Sequence, residues 1–90
     1  MNEDIKNYKD VSFVDFVLRS ILSEPEKLEI TRTIDDLGVL LTVRVSERDM
    51  GKLIGKGGQT VKALRMLLRI IGGNTAQRIN LKILEPAAAA

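Results

Sequence analysis

A run of glycines around one lysine is the feature of this 90-residue chain best suited to holding a ligand. Gly55-Lys56-Gly57-Gly58 has three glycines in four positions, and each glycine inside a helix costs roughly 1 kcal/mol relative to alanine. Glycine is kept where the backbone needs a positive φ or where another group approaches it closely. The next segment is predicted to be helical, so its N-terminal amides would face this loop and favour a phosphate. The loop is therefore a candidate phosphate site, and the alternative is a plain helix–turn–helix linker.

Basic side chains flank this glycine loop. Lys56 is at its tip, and Lys52 and Lys62 lie about one helical turn to either side. Lys62, Arg65 and Arg69 share one face of the following helix, at spacings i, i+3 and i+7. That face is either an electrostatic path for an anionic chain or an ordinary solvated surface, and the spacing leaves both interpretations open.

Other kinds of functional site find little support in the sequence. The chain contains no cysteine and no histidine, which excludes disulfides, thiolate ligands and a histidine base. Neither a Walker loop nor a dinucleotide fingerprint fits, because the glycines follow a predicted helix and Lys56 is followed by glycine. Asp35 and Asp36 could form a metal or acid–base pair, but they suit a turn better. We therefore predict no enzyme activity, no metal and no cofactor.

Charge and hydropathy place few limits on the partner. The formal net charge is only +2, which permits a polyanion without requiring one. The longest apolar run is far shorter than the roughly 20 residues that span a membrane, and the N-terminus does not resemble a signal peptide. A cytoplasmic protein without membrane contact is expected.

Hydrophobic periodicity predicts a helix and a hairpin in the first half of the chain. The helix would be capped by Asp10 or Ser12 and ended by Pro25, because the residue before a proline avoids the helical region. The two segments around Asp35-Asp36-Leu37-Gly38 alternate apolar and polar residues. This pattern predicts two antiparallel strands joined by a short turn.

In the second half, the pattern predicts two helices around the glycine loop and a final strand. Ser46 would cap the first helix, with Asp49 three residues on, and Gly72-Gly73-Asn74 would end the second. The last strand is predicted from Ile79 to Leu84. Met66 is expected to fill the core or an interface. The apolar positions are Met50, Leu53 and Ile54 in the first helix and Val61, Leu64, Leu67, Leu68 and Ile71 in the second.

The predicted order is α-β-β-α-α-β, an α+β fold with a three-stranded sheet packed on one face against three helices. Only the connection that contains the two later helices is long enough for a parallel crossover. We expect a flexible N-terminus over residues 1–9, a folded domain over 10–85 and a tail over 86–90.

The stretch from Met50 to Leu64 resembles the core signature of KH domains. That signature is an aliphatic residue, two spacers, two aliphatics, a Gly-x-x-Gly loop, and aliphatics three and six residues beyond. The matching residues are Met50, Leu53, Ile54, Gly55, Gly58, Val61 and Leu64. Together with the element order, the signature resembles the type II KH topology from about residue 11 to residue 84.

Within KH proteins, the chain resembles the KhpA family of small, single-domain bacterial proteins. The similarity includes the leading helix, the Glu-Pro-Glu segment at 24–26 and the stretch from Gly51 to Lys56. Two residues depart from the usual pattern. Met50 stands where valine is commoner, and Gly57 stands where a larger polar residue is frequent.

The resemblance implies a clamp for about four nucleotides of single-stranded RNA. Backbone amides around Gly57, Gly58 and Gln59 would hold phosphates, and Ile54 and Val61 would form an apolar floor under the bases. The expected RNA-binding residues are Lys52, Ile54, Gly55, Lys56, Gly57, Gly58, Gln59, Thr60, Val61, Lys62 and Arg65.

The same resemblance implies a role and protein partners. The role would be post-transcriptional regulation or RNA chaperoning. The partners would be a second copy, as a homodimer, or a larger multidomain KH protein of the KhpB type. The alternative is a KH-fold dimerisation or protein-interaction module with little RNA binding of its own.

Overall fold

The computed structural model describes residues 8–72 and 78–84, except for the side chain of Lys56. The predicted tail, most of the predicted flexible N-terminus and the Gly73-Asn74 part of the predicted helix stop lie outside the described residues. Tyr8 and Lys9, which were expected in the flexible segment, are described. Lys9 begins the first helix and Tyr8 precedes it.

The element order confirms the predicted α+β fold. The elements are α1 (Lys9–Ile21), a short 3-10 helix (Pro25–Lys27), β1 (Glu29–Asp35), β2 (Gly38–Arg44), α2 (Glu47–Gly72) and β3 (Ile79–Leu84). The two helices predicted around the glycine loop form the single range of α2. Inside it, Gly57 and Gly58 both have φ +72°, which a right-handed helix does not adopt. They divide α2 into a first segment, residues 47–56, and a second segment, residues 59–72.

The sheet has the strand order β1-β2-β3. β1 and β2 pair antiparallel through the predicted hairpin, and β2 and β3 pair parallel. α2 provides the crossover between the two parallel strands, as predicted from the length of this connection. The sheet therefore presents one face to the helices and leaves the other face open to solvent.

The core lies between the sheet and the two α-helices. Leu18 of α1, Leu41 of β2, and Leu53 and Leu68 of α2 are fully buried. Each is an apolar residue at an inward position of its element, so burial follows the helical and strand periodicities. The other buried apolar residues are Val11, Val14, Leu22, Leu28, Ile30, Val39, Val43, Val45, Val61, Leu64 and Leu81.

The start of α1 differs from the prediction. Tyr8 is the N-cap residue and provides no side-chain hydrogen bond. Asp10 is only 4% exposed, and its carboxylate accepts a hydrogen bond from Arg32 Nε of β1 at 3.2 Å. The Tyr8 ring packs on the guanidinium of Arg32, 3.8 Å from the ring centroid. Asp10 Oδ1 also accepts the backbone N–H of Val11 at 2.7 Å, so the carboxylate satisfies an amide of the first turn as well as the contact across the fold. Neither Asp10 nor Ser12 is the N-cap residue that the sequence predicted.

The end of α1 also comes earlier than predicted. The helix ends at Ile21, and Leu22 is already extended, three residues before Pro25. The next two backbone amides, those of Ser23 and Glu24, donate to the carboxylate of Asp49 at 2.8 Å each. Amides held in this way cannot continue the helix. A tertiary contact rather than the proline therefore sets the helix end.

The hairpin turn between β1 and β2 has its predicted position. Asp35 Oδ1 accepts the N–H of Leu37 at 2.8 Å, which supports the turn interpretation of this aspartate. Gly38 has φ +125°, and a Cβ there would lie 2.2 Å from the carbonyl oxygen of Arg78. Only glycine fits this position, because the backbone of Arg78, directly before β3, leaves no space for a side chain.

Candidate functional site

The residues Gly55 to Gly58, which we call the glycine turn, lie where the two segments of α2 meet. The positive φ at Gly57 and Gly58 is a conformation that residues with side chains rarely adopt. A Cβ placed at Gly55, Gly57 or Gly58 would meet no heavy atom within 4 Å. The protein therefore needs glycine for conformation at two positions, and leaves open space beside all three.

The second segment of α2 begins at this turn. Helix N-termini carry a partial positive charge, and amides of residues in turn conformations can converge on an anion. Gln59 is exposed and Thr60 is half-buried at this point. The backbone of Lys56 belongs to α2, while its side chain lies outside the described residues. The turn thus has unfilled space beside its backbone at the start of the second segment.

An apolar surface lies directly before the turn. Ile54 is 52% exposed, whereas Val61 is 4% exposed and belongs to the core. Of the two residues predicted to form an apolar floor, Ile54 presents accessible surface, whereas Val61 is part of the buried core.

The predicted basic residues fall into two groups. Lys52 Nζ donates to the carbonyl of Ile21 at 3.1 Å and to Ser23 Oγ at 2.5 Å. Arg65 donates from Nε and Nη2 to the carbonyl of Leu81 at 3.2 and 3.0 Å. By contrast, Lys62 is exposed, and its side chain makes no hydrogen bond or ion pair among the described residues. Of these three side chains, that of Lys62 is the one with no partner among the described residues.

A cluster of polar contacts, which we call the polar anchor, fixes the first segment of α2. It consists of Ser23, Ser46, Asp49 and Lys52. Ser46 Oγ accepts the N–H of Asp49 at 3.2 Å, as the predicted cap requires, and it also donates to Asp49 Oδ2 at 3.3 Å. Lys52 Nζ lies 3.6 Å from Asp49 Oδ1. The anchor ties the start of α2 to the end of α1.

Asp49 is the centre of this anchor and has no exposed surface. Burial by itself would raise its pKa. The hydrogen bonds from the amides of Ser23 and Glu24 and from Ser46, with the charge of Lys52, outweigh burial and hold the pKa below its usual value. The carboxylate is therefore ionised and fully paired. The cap was predicted from the sequence, but the bonds to the 23–24 amides were not, because no local pattern marks a contact 25 residues away.

The second segment of α2 also carries exposed apolar residues that the sequence pattern did not reveal. Met66, Leu67 and Ile70 are 62%, 43% and 70% exposed, and Ala63 is exposed as well. Their spacing i, i+3, i+4 and i+7 puts them on one face, which we call the apolar stripe. Leu67 was assigned to the core-facing side and is instead part of this stripe. The helix is apolar on more than one face, so periodicity alone did not identify the buried one.

Metal and membrane sites find no support in the described part of the chain. Among residues 8–72 and 78–84, no group of three or more acidic, histidine or cysteine side chains is placed to hold a metal ion. Neither α-helix in these ranges has the length and apolar character that a membrane crossing requires.

Comparison with known proteins identifies similar chains. Residues 11–83 match the family model described as KhpA/KhpB, KH domain. A protein of Borreliella burgdorferi is 28% identical over 82 residues, covering 90% of this chain and 100% of its own length. Proteins of Listeria monocytogenes and Aquifex aeolicus are 33% and 32% identical, covering 77% and 86% of this chain and 91% and 95% of their own lengths. All three relatives bear the name RNA-binding protein KhpA.

Proposed function

The chain belongs to the KhpA/KhpB KH-domain family, and on that premise we propose that it binds single-stranded RNA at the glycine turn. In this proposal the RNA backbone lies in the open space beside Gly55, Gly57 and Gly58. Such a protein would act in post-transcriptional regulation or as an RNA chaperone. With RNA as its partner, we expect the protein to be cytoplasmic. The proposal involves no catalysis and no cofactor.

The observation that carries the proposal is the open space beside a backbone in a positive-φ turn. Glycine at these positions lets a phosphate approach main-chain donors that a side chain would otherwise shield. The names of the relatives support RNA as the anion. KH domains clamp about four nucleotides in this manner.

Three side chains and two backbone amides support an RNA path next to the turn. Ile54 provides exposed apolar surface for a base before the turn, and Lys62 provides an available charge after it. Lys56 adds a charge at the turn in the sequence. Gln59 and Thr60 begin the second segment, where their amides would reach a phosphate. With so few contacts, we expect a single domain to bind at roughly 10⁻⁴–10⁻⁶ M and to lose affinity as salt increases.

The test is the double variant Lys56→Asp with Gly57→Asp, measured by fluorescence anisotropy with a short single-stranded RNA. Two carboxylates would occupy the phosphate position, so we expect binding to be lost. The matched control is Asn80→Asp with Lys82→Asp on the open face of the sheet. It makes the same change in charge on exposed residues of β3, away from the turn.

Both variants must keep the wild-type circular dichroism spectrum for this comparison. Binding lost in the first variant and kept in the second would support the clamp. Equal RNA binding by a folded Lys56→Asp/Gly57→Asp variant would overturn it. An equal loss of RNA affinity in both variants would show that net charge alone causes the loss, and this result would also contradict the clamp.

Self-association is a second property that we propose, and the apolar stripe supports it. Four residues on one face of the second segment of α2 expose apolar side chains: Ala63, Met66, Leu67 and Ile70. A two-fold axis across this helix would place the stripe against its own copy, and Ala63 would permit close approach. The stripe has four residues, far fewer than the roughly 20–30 residues per partner of a stable interface. We therefore expect a weak homodimer, and a larger KH protein of the KhpB type would use the same stripe.

Sedimentation velocity over a range of concentrations tests this association. Ile70→Asp puts a charge on the stripe at a side chain that is 70% exposed, so we expect the variant to remain monomeric where the wild type dimerises. Leu37→Asp is the control, since Leu37 is 81% exposed at the hairpin turn and lies outside the stripe. An Ile70→Asp protein that sediments like the wild type at every concentration would contradict the proposed interface.

A further inference from the structure

Arg65 is held in a fixed plane against the edge of the sheet. Its Nε and Nη2 both donate to the carbonyl oxygen of Leu81 in β3. The carbonyl of Arg78 faces β2, because it accepts the N–H of Val39 at 2.7 Å. Carbonyls alternate in direction along an extended strand, so the carbonyl of Leu81 faces away from β2, at the free edge of the sheet. Arg65 therefore spans the space between α2 and this free edge.

The contact with Leu81 leaves one side of the guanidinium available. An arginine has five N–H donors in a rigid plane, and two of them are used here. The remaining donors include one on Nη1 and one on Nη2 that point in parallel away from the strand. The Arg65 side chain is exposed overall. It thus presents a fork of two coplanar donors to solvent, preorganised by a backbone carbonyl.

This fork lies in line with the glycine turn. Lys62 and Arg65 are three residues apart and share one face of the second segment, which begins directly after Gly58. At a rise of 1.5 Å per residue, Arg65 lies about 10 Å along the helix from Gly58. A nucleic-acid strand held at the glycine turn and following Lys62 would therefore bring a nearby base to Arg65.

We propose that Arg65 selects a base that presents two adjacent hydrogen-bond acceptors, which among RNA bases means guanine or cytosine. Guanine offers O6 and N7 on one edge, and cytosine offers N3 and O2 on its Watson–Crick edge. Adenine and uracil alternate donors and acceptors along these edges, so they would leave one N–H of the fork opposed by a donor. This inference rests on the proposed RNA binding and adds base preference to it.

A phosphate is the other ligand with two paired acceptors, and the surroundings of Arg65 favour the base. The partial negative charge of the Leu81 carbonyl already opposes part of the guanidinium charge. That carbonyl disfavours an anion more than a neutral base edge. The fixed plane also gives an advantage to a planar ligand, whereas Lys62 is free to follow a phosphate.

The test uses eight-nucleotide RNAs of uridine in which one central residue is guanosine, cytidine, adenosine or 7-deazaguanosine, which lacks the N7 acceptor. Dissociation constants come from fluorescence anisotropy at several salt concentrations. We expect guanosine and cytidine to bind about tenfold more tightly than adenosine, and 7-deazaguanosine to fall to the adenosine value.

Two variants assign the preference to one residue. Arg65→Lys keeps the charge and loses the planar fork, so we expect it to bind all four RNAs at the affinity of the adenosine RNA. Arg69→Lys is the control, because Arg69 is an exposed arginine of the same helix whose side chain makes no hydrogen bond or ion pair among the described residues. The control should keep the preference.

Different outcomes test the base preference and the proposed RNA binding on which it rests. Equal affinity of the wild type for all four RNAs would overturn base selection and leave RNA binding intact. If Arg65→Met weakens every RNA equally and lowers the salt dependence by about one counterion, Arg65 contacts phosphate and the inference is wrong. A wild type that binds none of the RNAs at low salt would contradict the proposed function itself.

Discussion

The two ends of the first segment of α2 have opposite character. At Asp49, each carboxylate oxygen accepts a backbone amide at 2.8 Å, and no surface is exposed. Eight residues later, at Gly57, the backbone adopts a positive φ, and a Cβ there would meet no heavy atom within 4 Å. At one end the polar groups are buried and paired, and at the other end the space beside the backbone is unfilled.

This difference shows how a short helix can support a binding turn that has few side chains of its own. The polar anchor fixes the first segment against α1, so the position of the turn does not depend on contacts within the turn. Binding through the backbone needs such support, because main-chain donors must be held in place before the ligand arrives. The polar anchor therefore provides the rigidity that the glycine turn lacks.

Removing the charge of the anchor is expected to have the largest effect on stability. In Asp49→Asn one of the two amides, from Ser23 or Glu24, would face an NH₂ group instead of an oxygen. A donor left unpaired in this way is costly, and we expect Tm to fall by roughly 5–10 °C in thermal unfolding at pH 7. Asp36→Asn is the control, because Asp36 is an exposed carboxylate of the hairpin turn. Equal Tm values for the two variants would contradict the anchor.

The same variant has a defined pH dependence. The pKa of Asp49 in the folded protein lies below its usual value of 3.8. The stability contributed by its ionised form is therefore present above about pH 4 and is lost as the pH falls through the folded-state pKa. We expect the Tm difference between wild type and Asp49→Asn to be constant from pH 7 to about pH 5 and to shrink below pH 4. A Tm difference that grows on acidification would contradict a lowered pKa for Asp49.

A substitution at the open end should separate stability from binding. Gly55 has no positive φ, and a Cβ there would meet nothing within 4 Å. We expect Gly55→Ala to stabilise the fold by about 0.5–1 kcal/mol, because alanine favours the helix. The same methyl group would stand where the RNA backbone approaches, so we expect RNA affinity to fall by roughly tenfold, or about 1.4 kcal/mol.

Gly51→Ala provides the matched control for Gly55→Ala. Gly51 lies one helical turn earlier in the same segment, also without positive φ and with open space beside it. It should give the same gain in urea unfolding experiments and leave RNA affinity unchanged. If both alanine variants bind RNA like the wild type, the close approach proposed at Gly55 is wrong.

The smallest effect is expected at Lys52, which belongs to the anchor although its sequence position flanks the turn. Its amino group bonds to Ile21 and Ser23. Because Lys52 is 44% exposed, its ion pair with Asp49 is screened by solvent. We expect Lys52→Met to cost about 0.5 kcal/mol or less in urea unfolding and to change RNA affinity by less than about twofold.

Lys62→Met is the comparison for Lys52→Met, since it removes the same charge from a side chain with no partner among the described residues. It should weaken RNA binding and reduce the salt dependence by about one counterion, with little change in stability. A larger loss of binding in Lys52→Met than in Lys62→Met would assign Lys52 to the RNA contact instead.

The elements and the place of the turn were predictable because they depend on local patterns. Alternation and helical spacing are properties of neighbouring residues, and three glycines in four positions interrupt a helix wherever they occur. The predicted bounds of β3, Ile79 to Leu84, are those that the structure shows. The family resemblance, based on the Met50–Leu64 stretch, was confirmed by the match over residues 11–83.

The roles of individual charged residues were not predictable in the same way. Asp10 was expected to cap a helix, and its carboxylate accepts the first-turn amide of Val11 but also pairs with Arg32 of β1, which the sequence did not indicate. Lys52 and Arg65 were expected to contact RNA, and the sequence did not indicate that both also donate to backbone carbonyls of other elements. A side chain with several polar neighbours in space has several possible partners, and the sequence does not say which of them the fold brings near.

Local patterns in the chain were enough to establish the order of the elements, the glycine turn between two helical segments and the family to which the protein belongs. The folded structure was needed to show that α1 ends at Ile21, that Asp49 is buried and paired, and that Arg65 is held against the edge of β3. Local structure follows from backbone sterics and periodic burial along a few residues. Partnerships between residues 16 to 26 positions apart exist only once the chain has folded.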